Sequence, residues 1–143
     1  MIRPMNNDDE QKVIALSREF WELSCENEYG PFDEEHTKAK LASYRSSGAC
    51  FVTENVDGML LLVESTNLCN SRPIAAEAAW YVTPSARGGE GVELLQAAIR
   101  YCELKNITKL SMIYMQSSMP DSIAKIYDKL GFRLTETTHV RAF

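Results

Sequence analysis

The stretch Val82-Thr83-Pro84-Ser85-Ala86-Arg87-Gly88-Gly89-Glu90-Gly91-Val92-Glu93-Leu94-Leu95 decides how the rest of the chain is read. It joins an apolar, strand-like run, Ile74–Val82, to a segment carrying Leu94, Leu95, Ala98, Ile99 and Cys102 on one helical face. Glycine lacks a side chain, so a ligand can approach the backbone closely, and the first turn of a helix holds N–H groups without intrahelical acceptors. Those donors, with the positive end of the helix dipole, favour an anion. Arg87 adds a permanent cation whose fork suits phosphate. The plain alternative is a loop whose glycines only reverse the chain. The Walker pattern is excluded, because no Gly-Lys-Ser/Thr occurs. The dinucleotide fingerprint fits poorly, for want of a parallel βαβ unit and a ribose-binding acid about twenty residues on.

Working outward, the pattern upstream of this loop alternates between helix and strand. Ile2–Met5 reads as a short strand. From Asp8 onward Val13, Leu16 and Phe20 share a helical face, with Asp8 or Asp9 as the expected cap and Tyr29-Gly30-Pro31 as the stop. A second helix is expected from Asp33 to Tyr44, capped by Asp33. Cys50–Glu54 and Met59–Ser65 flank Asn55-Val56-Asp57-Gly58, where the Asp-Gly pair supports a hairpin. Downstream, Leu110–Met115 reads as a strand and Asp121–Leu130 as a helix closed by Gly131. Phe132–Phe143 offers one or two closing strands. The order β-α-α-β-β-β-α-β-α-β specifies an α/β (α+β) architecture: a mixed, mostly antiparallel central sheet flanked by helices.

Length and composition bound the function. At 143 residues the chain is one domain, spanning 1–143, with a single core. No apolar run approaches a membrane span, and Met1–Met5 lacks the apolar core of a signal peptide, so a cytoplasmic location is expected. A net charge of −5 argues against a general nucleic-acid binder. Cys25, Cys50, Cys69 and Cys102 form no CxxC pair, and His36 and His139 stand alone, so no metal site is expected.

A second motif, Ile126-Tyr127-Asp128-Lys129-Leu130-Gly131-Phe132, follows the glycine-rich loop by about thirty residues. On its own it is a helix end with two inward apolar positions and a capping glycine. Together, Pro84-Ser85-Ala86-Arg87-Gly88 with its following glycines and Leu94-Leu95, then this second motif, resemble the GNAT superfamily of N-acetyltransferases. The opening Ile2-Arg3-Pro4 resembles that family's first strand. The resemblance implies the GNAT-like acyl-CoA N-acyltransferase fold and acetyl-CoA as co-substrate. It places Val82 and Thr83 at a splayed strand end that holds the pantetheine arm and thioester oxygen. It wraps Arg87, Gly88, Gly89, Gly91 and Val92 around the pyrophosphate, and it puts Tyr127 near the cofactor sulfur. The loop departs from the family spacing by one residue, which brings the Glu90 carboxylate into it. Pro120 and Asp121 stand where an asparagine is common.

Acyl transfer from a thioester to an amine needs a proton acceptor, a donor for the developing oxyanion and an exit for the thiolate. The backbone N–H of Val82 is the candidate oxyanion donor, and Tyr127 is assigned protonation of the thiolate. Glu77 is the candidate base: it interrupts the apolar run Ile74–Val82, where a carboxylate is costly unless partnered or used, and partial burial raises its pKa. A glutamate facing solvent or paired with a cation is the alternative. Glu26, Glu28, Asp33, Glu34 and Glu35 cluster at the first helix–helix connection and suit a cationic amine. Tyr29, Phe32 and Trp80 are candidates for the groove wall. The expected acceptor is a primary amine on a small molecule or a protein; a homodimer stays open. The competing reading is a GNAT-like module that binds acyl-CoA or a protein without turnover.

Overall fold

The computed structural model describes residues 1–143, apart from the side chain of Glu28. Five strands, β1 (Ile2–Pro4), β2 (Cys50–Thr53), β3 (Gly58–Thr66), β4 (Pro73–Val82) and β5 (Leu110–Ser111), lie side by side in chain order. The first four pair antiparallel, and β4 pairs with β5 in parallel. Helices α1 (Glu10–Ser24), the single turn α2 (Glu26–Tyr29) and α3 (Glu34–Ser47) precede β2, while α4 (Glu90–Leu104) and α5 (Pro120–Lys129) flank β5 in sequence. The mixed, mostly antiparallel sheet between helices is the expected architecture.

Two apolar layers hold the sheet. Val13, Ile14 and Leu16 of α1 and Leu41 of α3 pack on Val52, Met59, Leu61 and Tyr81. On the other face Leu94, Leu95 and Ala98 of α4 and Tyr127 of α5 pack on Phe51, Leu60, Leu62 and Val82. Alternation along β2 and β3 sends successive side chains to opposite layers, as a pleated strand requires. Leu94 and Leu95 are fully buried, so the start of α4 is fixed beneath the glycine-rich loop. Truncating such a leucine costs about 2–5 kcal/mol.

Several boundaries differ from those the sequence predicts. Asp9 is the cap residue of α1, as expected, but its side chain bonds no helix amide; instead a 3-10 turn, Asn7–Asp9, precedes the helix and is capped by Asn6, whose side chain accepts from Asp8 N at 2.9 Å while Asp9 accepts from Asn6 N at 2.9 Å. Asp9 also receives both guanidinium nitrogens of Arg3 at 2.7 and 2.9 Å, which ties β1 to the start of α1 and holds its pKa below the usual value. The first helix breaks at Cys25, whose φ of −129° is not helical, before Gly30 ends α2 at φ +90°. The predicted strand Leu110–Met115 pairs only at Leu110–Ser111, because the chain turns away at Met112. Phe132–Phe143 forms no regular strand. With β5 only 2 residues long, little edge is presented for a closing strand to join.

The Asn55–Gly58 turn is as expected. A Cβ on Gly58 would stand 3.0 Å from both Thr53 Cγ2 and Val82 Cγ2, so a larger residue would have to push these side chains aside for the hairpin to close against the end of β4.

Candidate active site

β4 carries the site. Leu61 faces Ala79 across the ladder but Leu62 faces Glu77, so Ala78 is an extra residue, a bulge. The extra residue reverses the in–out phase. Ala75 on one side of the bulge and Val82 on the other therefore both point to the α4–α5 layer, and Glu77 shares that face.

Beyond the bulge, Thr83 N donates to Asp57 O at 2.9 Å. An antiparallel ladder alternates bonded and non-bonded pairs, so Tyr81–Met59 is a bonded pair, and the N–H and C=O of Trp80 and Val82 point away from β3. They point toward the side where β5 should lie. Yet β5 pairs only with Ala75 and Ala76, so the two strands part beyond that point. The parting opens a cleft of about 390 Å³ whose wall includes Glu77, Trp80, Val82, Arg87, Ile113 and Tyr114.

Glu77 is half-buried in the gap, and Ile113 N donates to its Oε2 at 3.2 Å. Burial pushes its carboxyl up to about 7, and the Ile113 hydrogen bond opposes part of that rise. Among the described residues of the wall it is the one carboxylate, and Arg87 is the one cation. Arg87 Nε donates to Val82 O at 3.1 Å, and its guanidinium lies 5.9 Å from the centre of the Tyr81 ring, which ties this exposed cation to the end of β4.

The loop above forms an amide cradle. Val92 N and Glu93 N turn back to Gly89 O at 3.0 and 3.1 Å. The N–H groups of Gly88, Gly89, Glu90 and Gly91 have no backbone or side-chain acceptor among the described residues. Gly89 sits at φ +153°, a conformation that L side chains rarely adopt. Trp80 Nε1 donates to Gly91 O at 3.1 Å and anchors the loop to β4. These donors and Arg87 fit the pyrophosphate of a coenzyme A. One feature opposes it: Glu90 Oε2 is buried without a partner, 3.7 Å from where a Cβ of Gly88 would stand.

The residues singled out in the sequence divide in space. Glu77, Val82, Arg87, Gly88, Gly89, Gly91 and Val92 all border the cleft. Thr83 does not; its amide is bonded to Asp57 O and its carbonyl accepts from Ala86 N at 3.0 Å. Tyr127 is buried beneath the wall, and its hydroxyl donates to the Ile113 carbonyl. Its ring lies 5.9 Å from that of Trp80 and 6.3 Å from that of Tyr114.

The acidic cluster lies elsewhere. Asp33 caps α3 by accepting from His36 N at 2.9 Å, and Glu34 pairs with Arg18 at 2.9 Å. Neither these nor Glu26 and Glu35 line the cleft, and the side chain of Glu28 lies outside the described residues. Trp80 lines the cleft; Tyr29 packs on Trp21, and Phe32 lines a neighbouring hollow of about 290 Å³ between α1 and α3. Sequence reasoning missed Tyr114, Met115 and Met119, which also line the cleft. They stand in irregular chain between β5 and α5, where no periodicity marks an inward residue.

No model of a known protein family matches the sequence, and no curated protein resembles it by sequence. Solved structures do resemble it in fold. A GNAT family acetyltransferase from Staphylococcus aureus superposes with a TM-score of 0.69 at 15% identity, over 100% of this chain and 98% of the other. The ribosomal-protein-alanine N-acetyltransferase of Brucella melitensis biovar Abortus gives 0.72 at 13% identity, over 100% and 99%. AAC(6')-Iy, solved with the bisubstrate analogue CoA-S-monomethyl-acetylneamine, gives 0.73 at 20% identity, over 100% and 97%. The chain thus has the GNAT fold over its whole length. Among the described residues no group of three or more His, Cys, Asp and Glu side chains could hold a metal, and no helix is long and apolar enough to cross a membrane.

Proposed function

We propose that this chain is an acyl-CoA-dependent N-acyltransferase that moves an acetyl group to a primary amine. The observation that carries the reading is the gap between β4 and β5. One carboxylate, one row of backbone donors and one amide cradle face a single cleft there. Acetyl-CoA supplies an acyl group activated as a thioester.

The free N–H groups of Gly88–Gly91 and the Arg87 guanidinium hold the pyrophosphate, and Val82 N–H meets the charge that develops on the thioester oxygen. Glu77, held near 7, accepts the proton of the amine directly or through a water. An alkyl thiol has a pKa of about 8.5, so it departs with little help near neutral pH. The motif assigns Tyr127 to that departure, a role for which its hydroxyl has to turn from the Ile113 carbonyl.

Apart from Glu77 and Arg87 the wall is neutral, with Phe20, Leu23, Met115 and Met119 among its members. That surface suits an amine on a small molecule or a protein end with an apolar flank. The orphaned Glu90 carboxylate favours the second reading, a GNAT-like module that holds acyl-CoA weakly and does not turn over.

The test is a free-thiol assay with acetyl-CoA across a panel of primary amines, with product masses measured. Amine-dependent thiol release matched by a gain of one acetyl group supports the enzyme. Acetyl-CoA binding without turnover on any amine supports the module.

A further inference from the structure

We propose that Tyr127 is a positioning residue: through the backbone of Ile113 it fixes the Glu77 carboxylate in the cleft, rather than giving a proton to the thiolate. The two side chains assigned to catalysis meet at one residue. Ile113 N–H donates to Glu77 Oε2 at 3.2 Å, and the Ile113 carbonyl accepts from the Tyr127 hydroxyl. Met112 and Tyr114 pack against the α4–α5 apolar layer, but among the described residues no other hydrogen bond ties Ile113 to a neighbouring element. The β4–β5 pairing ends at Ser111, and no ladder partner is available to residues 112–115. The Tyr127 hydrogen bond therefore takes the place of the missing ladder and holds Ile113 where its N–H reaches Glu77.

Three observations favour positioning over proton donation. The Tyr127 hydroxyl already has its acceptor, and the residue is absent from the cleft wall. Its phenol is pushed well above the usual value, first by burial and then by the charge of Glu77, so it is a poor acid toward a thiolate. Its ring is wedged among Trp80, Tyr114 and Phe132, with centroids 5.9, 6.3 and 5.4 Å away, which leaves the hydroxyl aimed at one place. Of the titratable and charged groups, the Tyr127 phenol on α5 feels the charge of Glu77, and the Tyr114 phenol and the Arg87 guanidinium share its cleft wall. Across the ladder stands Leu62, and the nearby wall of α1 is Phe20, Leu23 and Ser24, none of them charged.

The kinetic consequence rests on the transferase reading; the structural one does not. The test is therefore a titration of Glu77 by carbon-13 NMR of its carboxyl in wild type, Tyr127→Phe and, for assignment, Glu77→Gln. Phenylalanine keeps all three ring contacts, so Tyr127→Phe folds. Freeing Ile113 removes a hydrogen bond from the ionised form, so the Glu77 midpoint rises by about one pKa unit, and hydrogen exchange at the Ile113 amide quickens. An unchanged or lowered midpoint overturns the proposal.

Turnover supplies the second reading. If Tyr127 acts through Glu77, Tyr127→Phe moves the acid limb of the pH profile upward and has little further effect in a Glu77→Gln background. An independent acid instead gives losses that multiply and a steeper dependence on the pKa of the departing thiol, which also overturns the proposal. A parent protein without any turnover would remove the transferase reading alone, since the titration still decides the role of Tyr127.

Discussion

Replacing Glu77 with glutamine should separate function from stability at one position. The carboxyl stands near 7, against an ordinary value of 4.5, chiefly because burial disfavours its charge. A folded pKa raised above the unfolded one means that the unfolded chain ionises first. Below about 4 both states are protonated and no penalty exists. Between 4.5 and 7 the penalty grows, and above 7 it is fully present. At about 1.4 kcal/mol per unit, the shift corresponds to roughly 3 kcal/mol of stability withheld at high pH. Glutamine has nearly the same shape, can still accept from Ile113 N–H and never ionises. Glu77→Gln should therefore gain about 3 kcal/mol relative to wild type between pH 4 and pH 9. In a chain of this size that is on the order of 10 °C in Tm. Comparing the two pH values cancels any fixed cost of the amide. At and above pH 7, where the wild-type carboxylate is ionised, the variant should lose turnover by about 10²-fold or more, the scale of general-base catalysis, and the loss should shrink toward pH 4 as Glu77 protonates. The assay pairs thermal unfolding with thiol release from pH 4 to 9. A stability difference independent of pH would refute the burial argument, and wild-type rates would refute the base.

Other positions give sharper yes-or-no outcomes. A Cβ at Gly89 meets no atom within 4 Å, but Gly89→Val forces a side chain onto φ +153°. It should weaken acetyl-CoA binding at least tenfold by calorimetry, from about 1–3 kcal/mol of backbone strain, while the far-ultraviolet circular dichroism stays native. Glu90→Gln removes a buried carboxylate beside the cradle and should tighten acetyl-CoA about fivefold, from about 1 kcal/mol of like-charge repulsion; unchanged affinity would place the pyrophosphate elsewhere. Asp9→Asn breaks the bidentate pair with Arg3. Because the folded pKa of Asp9 is lowered, the pair stabilises above the ordinary carboxylate range and is lost as pH falls through the folded value. The variant should lose about 2 kcal/mol at pH 7 and the gap should close in acid, as read by urea unfolding.

Much of the frame is legible in the residues, because local chemistry and tertiary need agree there. The helical stripe Leu94, Leu95, Ala98 and Cys102 is the buried face of α4, and Asp57-Gly58 turns the hairpin as its composition demands. Glu77 stands out because a carboxylate interrupts an apolar strand, and it borders the cleft.

What lay hidden depends on geometry that no residue type announces. The bulge at Ala78 falls within Ala-Ala-Glu-Ala-Ala, without glycine or proline to mark it, yet it decides the face on which Glu77 emerges. The direction of the Tyr127 hydroxyl follows from where Ile113 settles, and Ile113 settles where strand pairing fails. Within the acidic cluster Asp33 caps α3 and Glu34 pairs with Arg18, structural uses that composition alone does not announce. Phe132–Phe143 alternates like a strand but lacks an edge long enough to join.

The most direct test of the thioester site is a titration of acetyl-CoA into nitrogen-15-labelled protein, followed amide by amide. Saturable shifts should concentrate at Val82, Gly88, Gly89, Gly91 and Ile113, which line the cleft between β4 and β5. Spectra that stay unchanged at millimolar acetyl-CoA, or that shift only at residues remote from that cleft, would contradict it.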